Sequence, residues 1–132
     1  MKYCADTWFI IELSKPELKA IKIIKNLGKH KNKIIIPTVV ILELTRISIK
    51  SGKKQIMDEL LKNLELNKNI DIVDCSLEIS KKAGEISATY NIPTIDSIIA
   101  ATAILNNCHK LISNDSHFVK LKKNKLIKMV SW

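Results

Sequence analysis

Four acids in the sequence occupy positions where a solvated side chain is not expected. They are Asp6, Glu43, Asp96 and Asp115. Two of them follow predicted strands: Asp6 comes directly after the apolar opening 1–5, and Asp115 comes shortly after the apolar pair Leu111–Ile112. The carboxyl ends of parallel strands meet at one edge of an open sheet, which is where such sheets bind ligands. Asp6 and Asp115 are therefore expected to lie together at that edge.

The other two acids lie on apolar faces of predicted helices. Glu43 has Val39 one turn before it and Ile47 one turn after it, and Asp96 is followed one turn later by Ile99. A carboxylate on a packed face is costly unless it is paired or coordinates a cation. Four acids at one end of a sheet favour a shared divalent cation, and ligands that are all oxygen favour Mg²⁺ or Mn²⁺ over zinc.

Each acid also has a structural interpretation of its own. Arg46 could neutralise Glu43 through an i,i+3 contact on the same helix. Asp96 could stabilise a helix N-terminus, with Thr94 as the N-cap, and Asp115 could cap the turn that follows it. Taken singly, these interpretations are sufficient, whereas a shared cation accounts for the four acids together.

The elements that must position these acids alternate between strands and helices. Short apolar runs predict strands at 1–5, 34–36, 70–73, 111–112 and 127–130. Caps, breakers and helical spacing predict helices at about 14–27, 38–50, 56–64, 77–90 and 94–107, with a short helical turn near Phe118. The first helix is expected to begin at the Ser14–Glu17 capping box and to end at Gly28. This alternation predicts a parallel α/β sandwich.

Composition narrows the class of protein. A length of 132 residues suits one domain, and the net charge of +9 comes almost entirely from lysine, since Arg46 is the only arginine. Lysine side chains are better suited to attracting phosphate groups than to recognising particular bases. Three scattered cysteines offer no CxxC zinc site, and no apolar run approaches the roughly 20 residues of a membrane span. Without a signal-peptide pattern, a cytoplasmic protein is expected.

Four segments of the chain together resemble the PIN-domain ribonucleases, and among these the small toxins of the VapBC type. The segments are Asp6–Thr7 after the opening strand, the helix Thr38–Leu44, Pro93–Ala103 and Leu111–Phe118. They occur in the family's order and separation, so the resemblance covers essentially the whole chain. Two departures remove no ligand: Trp8 stands where a smaller residue is usual, and Asn106-Asn-Cys precedes Leu111 in place of a glycine.

The resemblance implies a three-layer α/β/α sandwich around a central parallel sheet, in a single domain covering residues 1–132. It implies a metal-dependent endoribonuclease whose metal-activated water leaves products with a 5′ phosphate and a 3′ hydroxyl. One or two Mg²⁺ (or Mn²⁺) ions would be held by Asp6, Glu43, Asp96 and Asp115, with support from Thr7, Ser113 and Asn114. The implied partners are an RNA substrate, a small antitoxin protein and a second copy, in a homodimer built through helices between Lys15 and Leu66.

Other interpretations stay open at the level of sequence. A PIN nuclease of RNA processing would have the same chemistry without an antitoxin, and a non-catalytic RNA-binding module would lack one or more acids, none of which is missing. A phosphoacceptor receiver domain would need a second acid beside Asp6, which the chain does not have. His117 could contact substrate, but we favour a solvated loop histidine. We interpret Lys122–Lys125 as a solvated turn with a lesser chance of RNA contact.

Overall fold

The structure is a computed structural model that describes residues 1–15, 18–26, 29 and 31–130. Within these residues the chain forms five strands and seven α-helices. The strands are β1 (Lys2–Ala5), β2 (Lys33–Pro37), β3 (Ile70–Val73), β4 (Lys110–Ile112) and β5 (Met129–Val130). The helices are α1 (Thr7–Leu13), α2 (Leu18–Asn26), α3 (Thr38–Lys50), α4 (Lys54–Leu66), α5 (Leu77–Tyr90), α6 (Thr94–Leu105) and α7 (Val119–Lys123), with a 3₁₀ turn at Ser116–Phe118.

The five strands form one parallel sheet in the order β3-β2-β1-β4-β5. The first strand of the chain is the central one: Cys4 in β1 lies opposite Ile35 in β2 and Leu111 in β4. The chain adds strands to one side of β1 first and to the other side later. The order therefore reverses between β1 and β4, and a parallel sheet opens a crevice at such a point, beyond the carboxyl ends of its strands. The predicted parallel α/β architecture is confirmed.

The central strands are buried because their sequences are almost continuously apolar. Cys4, Ala5 and Ile34–Ile36 are buried in β1 and β2, as are Leu111 and Ile112 in β4. A parallel strand with both faces covered needs this pattern, whereas a half-exposed strand would alternate with polar residues. The buried core fixes the strand ends, and with them the acids that follow.

Most predicted elements are present with small changes at their ends. The strand Ile70–Val73 is as predicted, the last strand shrinks to Met129–Val130, and α6 ends at Leu105. Ser76 caps α5 as predicted, because its side chain accepts a hydrogen bond of 3.1 Å from the backbone N–H of Ile79.

The region between β1 and α2 differs from the prediction. Helix α1 was not predicted, and Ser14 lies at its C-terminal end, where its hydroxyl donates to the Ile11 carbonyl at 2.6 Å. Glu17 of the predicted capping box and the predicted stop at Gly28 lie outside the described residues. In the described part of the chain, no helix has both the length and the apolar character needed to cross a membrane.

Candidate active site

Asp6 stands at the carboxyl end of the central strand and is the N-cap of α1. Its side chain is almost completely buried, with 4% exposed. One carboxylate oxygen accepts the backbone N–H of Phe9 at 3.1 Å, and the other accepts the hydroxyl of Ser113. Burial raises the pKa of Asp6 to about 6; the two hydrogen bonds oppose this rise, and the negative charges of Asp115 and Asp96 add to it.

Ser113 joins the ends of β1 and β4. The residue is fully buried, and its hydroxyl donates to Asp6 while accepting the backbone N–H of Asp115 at 3.0 Å. One hydroxyl thus fixes the side chain of one acid and the backbone of another. The predicted supporting position of Ser113 beside the acids is therefore present in the structure.

Asp115 begins the 3₁₀ turn that follows β4. Its Oδ1 accepts the backbone N–H of His117 at 2.9 Å, so the structural interpretation as a cap is correct. The cap also orients the carboxylate, because an N-cap side chain must face the open amide groups of the turn. A structural role and a place in the acid cluster are compatible for this residue.

Asp96 lies in the first turn of α6, and its side chain is 15% exposed. The predicted N-cap Thr94 is wrong: the N-cap is Pro93, which makes no side-chain capping bond. Burial raises the pKa of Asp96, the charges of Asp115 and Glu43 raise it further, and His117 opposes the rise. The interaction between two charges weakens with distance, so charges that change the pKa of Asp96 must be near it. Glu43 on α3 and Asp115 after β4 therefore lie in the same region as Asp96 on α6.

The prediction that Glu43 lies on the packed face of its helix is wrong: the buried stripe of α3 runs through Val40, Leu44 and Ser48, and Ile47, one turn after Glu43, is 38% exposed. Glu43 is half-buried beside this stripe, and the hydroxyl of Thr7 donates to its Oε1 at 2.6 Å. The described ion pairs do not include one between Glu43 and Arg46, so the structural interpretation of this acid is not supported.

His117 is the site residue that sequence reasoning missed. Its Nδ1 lies 2.8 Å from Asp96 Oδ2 and 3.1 Å from Asp115 Oδ1, although about half of its side chain is exposed. The interpretation as a solvated loop histidine is therefore wrong. The Asp-x-His spacing was the available signal, because a turn capped by Asp115 folds the residue two positions later back onto its own cap.

The structure thus brings most of the predicted residues together. Asp96, Asp115 and His117 each offer one ligand atom, and these atoms lie within 4.8 Å of one another. Asp6 and Glu43 lie outside this set of three. The charge of Glu43 raises the pKa of Asp96, and the charge of Asp96 raises the pKa of Asp6. Asn114 is exposed, and among the described residues no hydrogen bond joins it to the acids.

The donor set fits a divalent cation. Buried carboxylates that repel one another hold their protons too tightly, as the raised pKa values of Asp6 and Asp96 indicate, and a cation relieves both the repulsion and the desolvation. Carboxylate oxygens suit Mg²⁺ and Mn²⁺, and an imidazole nitrogen at the edge is compatible with Mn²⁺.

A protein-family model described as PIN domain matches residues 3–124 of the chain. The chain belongs to the PIN domain family. The matched range includes all the residues of the PIN site described above, from Asp6 to His117. A search among curated proteins found no match.

Solved structures support the PIN fold over the whole chain. A chain in the crystal structure of VapBC2 from Rickettsia felis, bound to a DNA fragment from its promoter, superposes with a TM-score of 0.80 at 24% identity, covering 100% of this chain and 99% of that chain. VapBC-1 from nontypeable Haemophilus influenzae gives a TM-score of 0.74 at 20% identity, covering 100% and 98%. VapC20 from Mycobacterium tuberculosis, a toxin that cleaves the sarcin-ricin loop, gives 0.71 at 10% identity, covering 90% and 94%. The predicted PIN-like sandwich is confirmed.

Proposed function

We propose that this protein is a metal-dependent endoribonuclease and the toxin of a type II toxin–antitoxin pair. The observation that carries the proposal is the convergence of Asp6, Asp96 and Asp115 with Glu43 at the reversal point of the sheet, with two carboxyl pKa values raised. Support for the toxin assignment comes from the structural neighbours, which are VapBC complexes and a toxin described as cleaving RNA of the sarcin-ricin loop.

The four acids are proposed as the metal ligands, with Thr7 and Ser113 as positioning residues. When bound, Mg²⁺ or Mn²⁺ supplies an activated water and neutralises charge on the phosphodiester. Thr7 orients the Glu43 carboxylate through its 2.6 Å hydrogen bond, and Ser113 orients Asp6. Asn114, exposed beside Asp115, is proposed to contact the substrate rather than the acids.

Asp6 and Asp115 each use one oxygen to cap the turn or helix that follows. Phe9 N–H occupies Oδ1 of Asp6, and His117 N–H occupies Oδ1 of Asp115. Both carboxylates are therefore held in one orientation before substrate arrives, which lowers the entropic cost of assembling the reactive arrangement. The products are proposed to carry a 5′ phosphate and a 3′ hydroxyl.

RNA is proposed as the substrate because the charge of the chain opposes that of its acid site. Four carboxylates alone would repel a phosphodiester, whereas a net charge of +9 attracts a polyanion over longer distances. We also propose that residues 1–132 form one PIN domain and that the protein acts in the cytoplasm, where RNA is accessible.

The proposed partners are an antitoxin that covers the acid site and a second copy of this chain. For the homodimer we propose the face formed by α3 and α4, which lies within the range expected from the sequence. A groove of about 900 Å³ between these helices is lined by Ile41, Leu42, Ile49 and Leu61. Leu42 and Ile49 are each more than half exposed, and apolar side chains in such a groove favour association.

Cleavage of RNA under controlled metal supply tests the proposed activity. Purified protein should cut cellular RNA with Mg²⁺ or Mn²⁺ and leave it intact with excess EDTA, and the cut ends should carry 5′ phosphates. Asp96→Asn should remove cleavage, whereas the matched change Glu59→Gln, at an exposed acid of α4, should not. Cleavage that persists in EDTA, or in Asp96→Asn, would refute the mechanism.

A further inference from the structure

A cluster of lysines lies at the amino ends of β4 and β5, at the opposite end of these strands from the acids. Lys110 begins β4, and Lys128 directly precedes β5. These two residues, with Lys122 and Lys125, line a hollow of about 440 Å³ together with Ile127 and Met129. We call this the lysine hollow. None of the described residues that line it is acidic.

The segment that forms most of the lysine hollow carries an excess of positive charge. Between residues 97 and 130 the chain contains six lysines and a single acid, Asp115, which lies in the candidate active site. A strand rises about 3.3 Å per residue, so β4 (Lys110–Ile112) spans roughly 7 Å, and Asp115 lies beyond its carboxyl end. Ammonium groups concentrated around one concave surface repel one another, and a polyanion relieves that repulsion.

The backbone at Lys125 provides an independent observation. Helix α7 ends in a Schellman motif, in which Lys125 N–H bonds to the Lys122 carbonyl at 3.0 Å and Leu126 N–H bonds to the Leu121 carbonyl at 3.0 Å. Lys125 takes the left-handed position of this motif, with φ of 60°, where glycine is most favoured. The chain therefore has a lysine at a left-handed position on the rim of the hollow, a conformation that Lys31, which does not line the hollow, also adopts.

We infer that the lysine hollow binds the phosphodiester backbone of RNA at a distance from the bond that is cut. Lysine is suited to this role because it acts as a flexible point charge and does not select bases. The choice of RNA rests on the proposed function, since charge alone specifies only a polyanion. An RNA strand held in the hollow would extend along α7 towards the acids, because α7 and the preceding turn connect these two ends of the sheet.

The competing explanation is protection of the sheet edge. Strand β5 has two residues and is last in the sheet order, and lysines beside an edge strand discourage pairing with another chain. This explanation requires no ligand. It predicts that loss of the lysines causes self-association and leaves the affinity for RNA unchanged.

RNA binding in EDTA separates these explanations. Fluorescence anisotropy should be measured with a labelled single-stranded RNA over a range of NaCl concentrations. The test variant is Lys122→Gln/Lys125→Gln/Lys128→Gln. The matched control is Lys22→Gln/Lys50→Gln/Lys81→Gln, with exposed lysines on three other helices, so that both variants lower the net charge from +9 to +6.

The test variant should bind RNA at least about tenfold more weakly than the control at moderate salt. Its plot of log affinity against log salt should be shallower by about 2, because each lost phosphate contact on a single strand contributes about 0.7. Equal affinities and slopes for the two variants would overturn the inference, as would self-association of the test variant with unchanged RNA affinity. Far-UV circular dichroism and unfolding midpoints verify that both variants are folded.

A single substitution gives a second test that a structural role would not pass. Lys125→Gly relieves the left-handed backbone and removes one charge. The unfolding midpoint should rise while RNA affinity falls. A rise in the midpoint without any fall in affinity would contradict the inference.

The same measurements distinguish this inference from the proposed nuclease activity. Wild-type protein that binds RNA through the hollow but never cleaves it, with Mg²⁺ or Mn²⁺, would refute the nuclease and leave the hollow in place. Cleavage by wild-type protein, with RNA affinity equal in test and control variants, would refute only the hollow.

Discussion

The carboxylate of Asp6 has to satisfy two opposing demands. As the N-cap of α1 and the acceptor of Ser113 it stabilises the fold, and as a buried charge beside other acids it is costly. Its pKa of about 6, above the ordinary value of 3.8, shows that burial outweighs the two hydrogen bonds. Without a cation, the folded protein therefore takes up a proton at this residue more readily than the unfolded chain does.

This difference predicts how the metal-free protein responds to pH. Because the pKa is raised in the folded state, the free energy of unfolding should fall as pH rises from about 4 to about 6, by at most about 3 kcal/mol from this group. Asp6→Asn should reduce this slope, and Asp74→Asn should leave it as in wild type. Urea unfolding in EDTA across this pH range measures the effect, and identical slopes for both variants would contradict it.

Glu43 offers a second test at the scale of single residues. Glu43→Gln keeps an oxygen that accepts from Thr7 but removes the charge, so metal-dependent cleavage should fall by about 100-fold or more. The unfolding midpoint of the metal-free protein should stay the same or rise slightly, because mutual repulsion is reduced. Glu59→Gln, at an exposed acid of α4, serves as the control. A large loss of stability in Glu43→Gln would instead assign this acid a structural role.

Single residues also show how far the sequence could predict the site. The acids that follow strands, and Asp96 on its apolar helix, are visible without a structure, because burial of a charge contradicts the surrounding pattern. Glu43 is also visible in this way, but the structure places it beside the buried stripe of α3. The hydrogen bonds of Thr7 and Ser113 could only be implied by family resemblance. The contact of His117 with Asp96 depends on how the capped turn meets the first turn of α6, and no local pattern specifies that meeting.

At the scale of elements, α6 determines where Asp96 lies. The helix packs against α5 and β1, and it is buried along much of its surface, where its buried residues include Ala100, Ala101 and Ala103. Small side chains permit close approach, and a larger one would have to displace its neighbours.

Enlarging one of these alanines tests the close packing. Ala101→Leu should lower the free energy of unfolding by about 1–3 kcal/mol, because Ala101 is fully buried. Ala88→Leu, at an exposed position of the neighbouring helix α5, should have little effect. Chemical denaturation of both variants makes the comparison, and equal stabilities would show that α6 has room to adjust.

The elements differ in how well the sequence predicts them. Ile70–Val73 and the cap at Ser76 carry local signals, and the structure confirms both. Helix α1 lacks such a signal, because its sequence Thr7–Leu13 is nearly all apolar and its N-cap was interpreted only as a strand-ending acid. Burial of Phe9 and Ile10 in the core stabilises this segment as a helix. A local sequence pattern does not show such burial against distant residues.

For the whole molecule, the proposed dimer makes a direct prediction. The wild-type protein should have twice the monomer mass in solution. The variant Leu42→Glu should have the mass of one monomer, because a charge in the groove between α3 and α4 must be desolvated on association. Leu77→Glu changes another exposed leucine, at the start of α5, and should remain dimeric. Light scattering after size-exclusion chromatography gives the masses, and a dimeric Leu42→Glu would exclude this face.

The proposed toxin activity predicts an effect in cells. Expression of the wild-type gene alone should arrest growth, and Asp6→Ala should relieve the arrest at matched protein levels. Co-expression of an antitoxin that covers the acids should also relieve it, and we expect such an inhibitor to place a basic side chain among the carboxylates. Equal growth with wild type and Asp6→Ala would favour a nuclease of RNA processing over a toxin.

The central position of the first strand has a consequence during protein synthesis. Ser113, the partner that fixes the Asp6 carboxylate, is synthesised 107 residues after Asp6. At ribosomal rates of about 5–20 residues per second, the nascent chain waits roughly 5–20 s for the last parts of the acid site. An incomplete chain has no Asp115 and therefore no complete cluster. The proposed nuclease site therefore stays incomplete during this interval of synthesis.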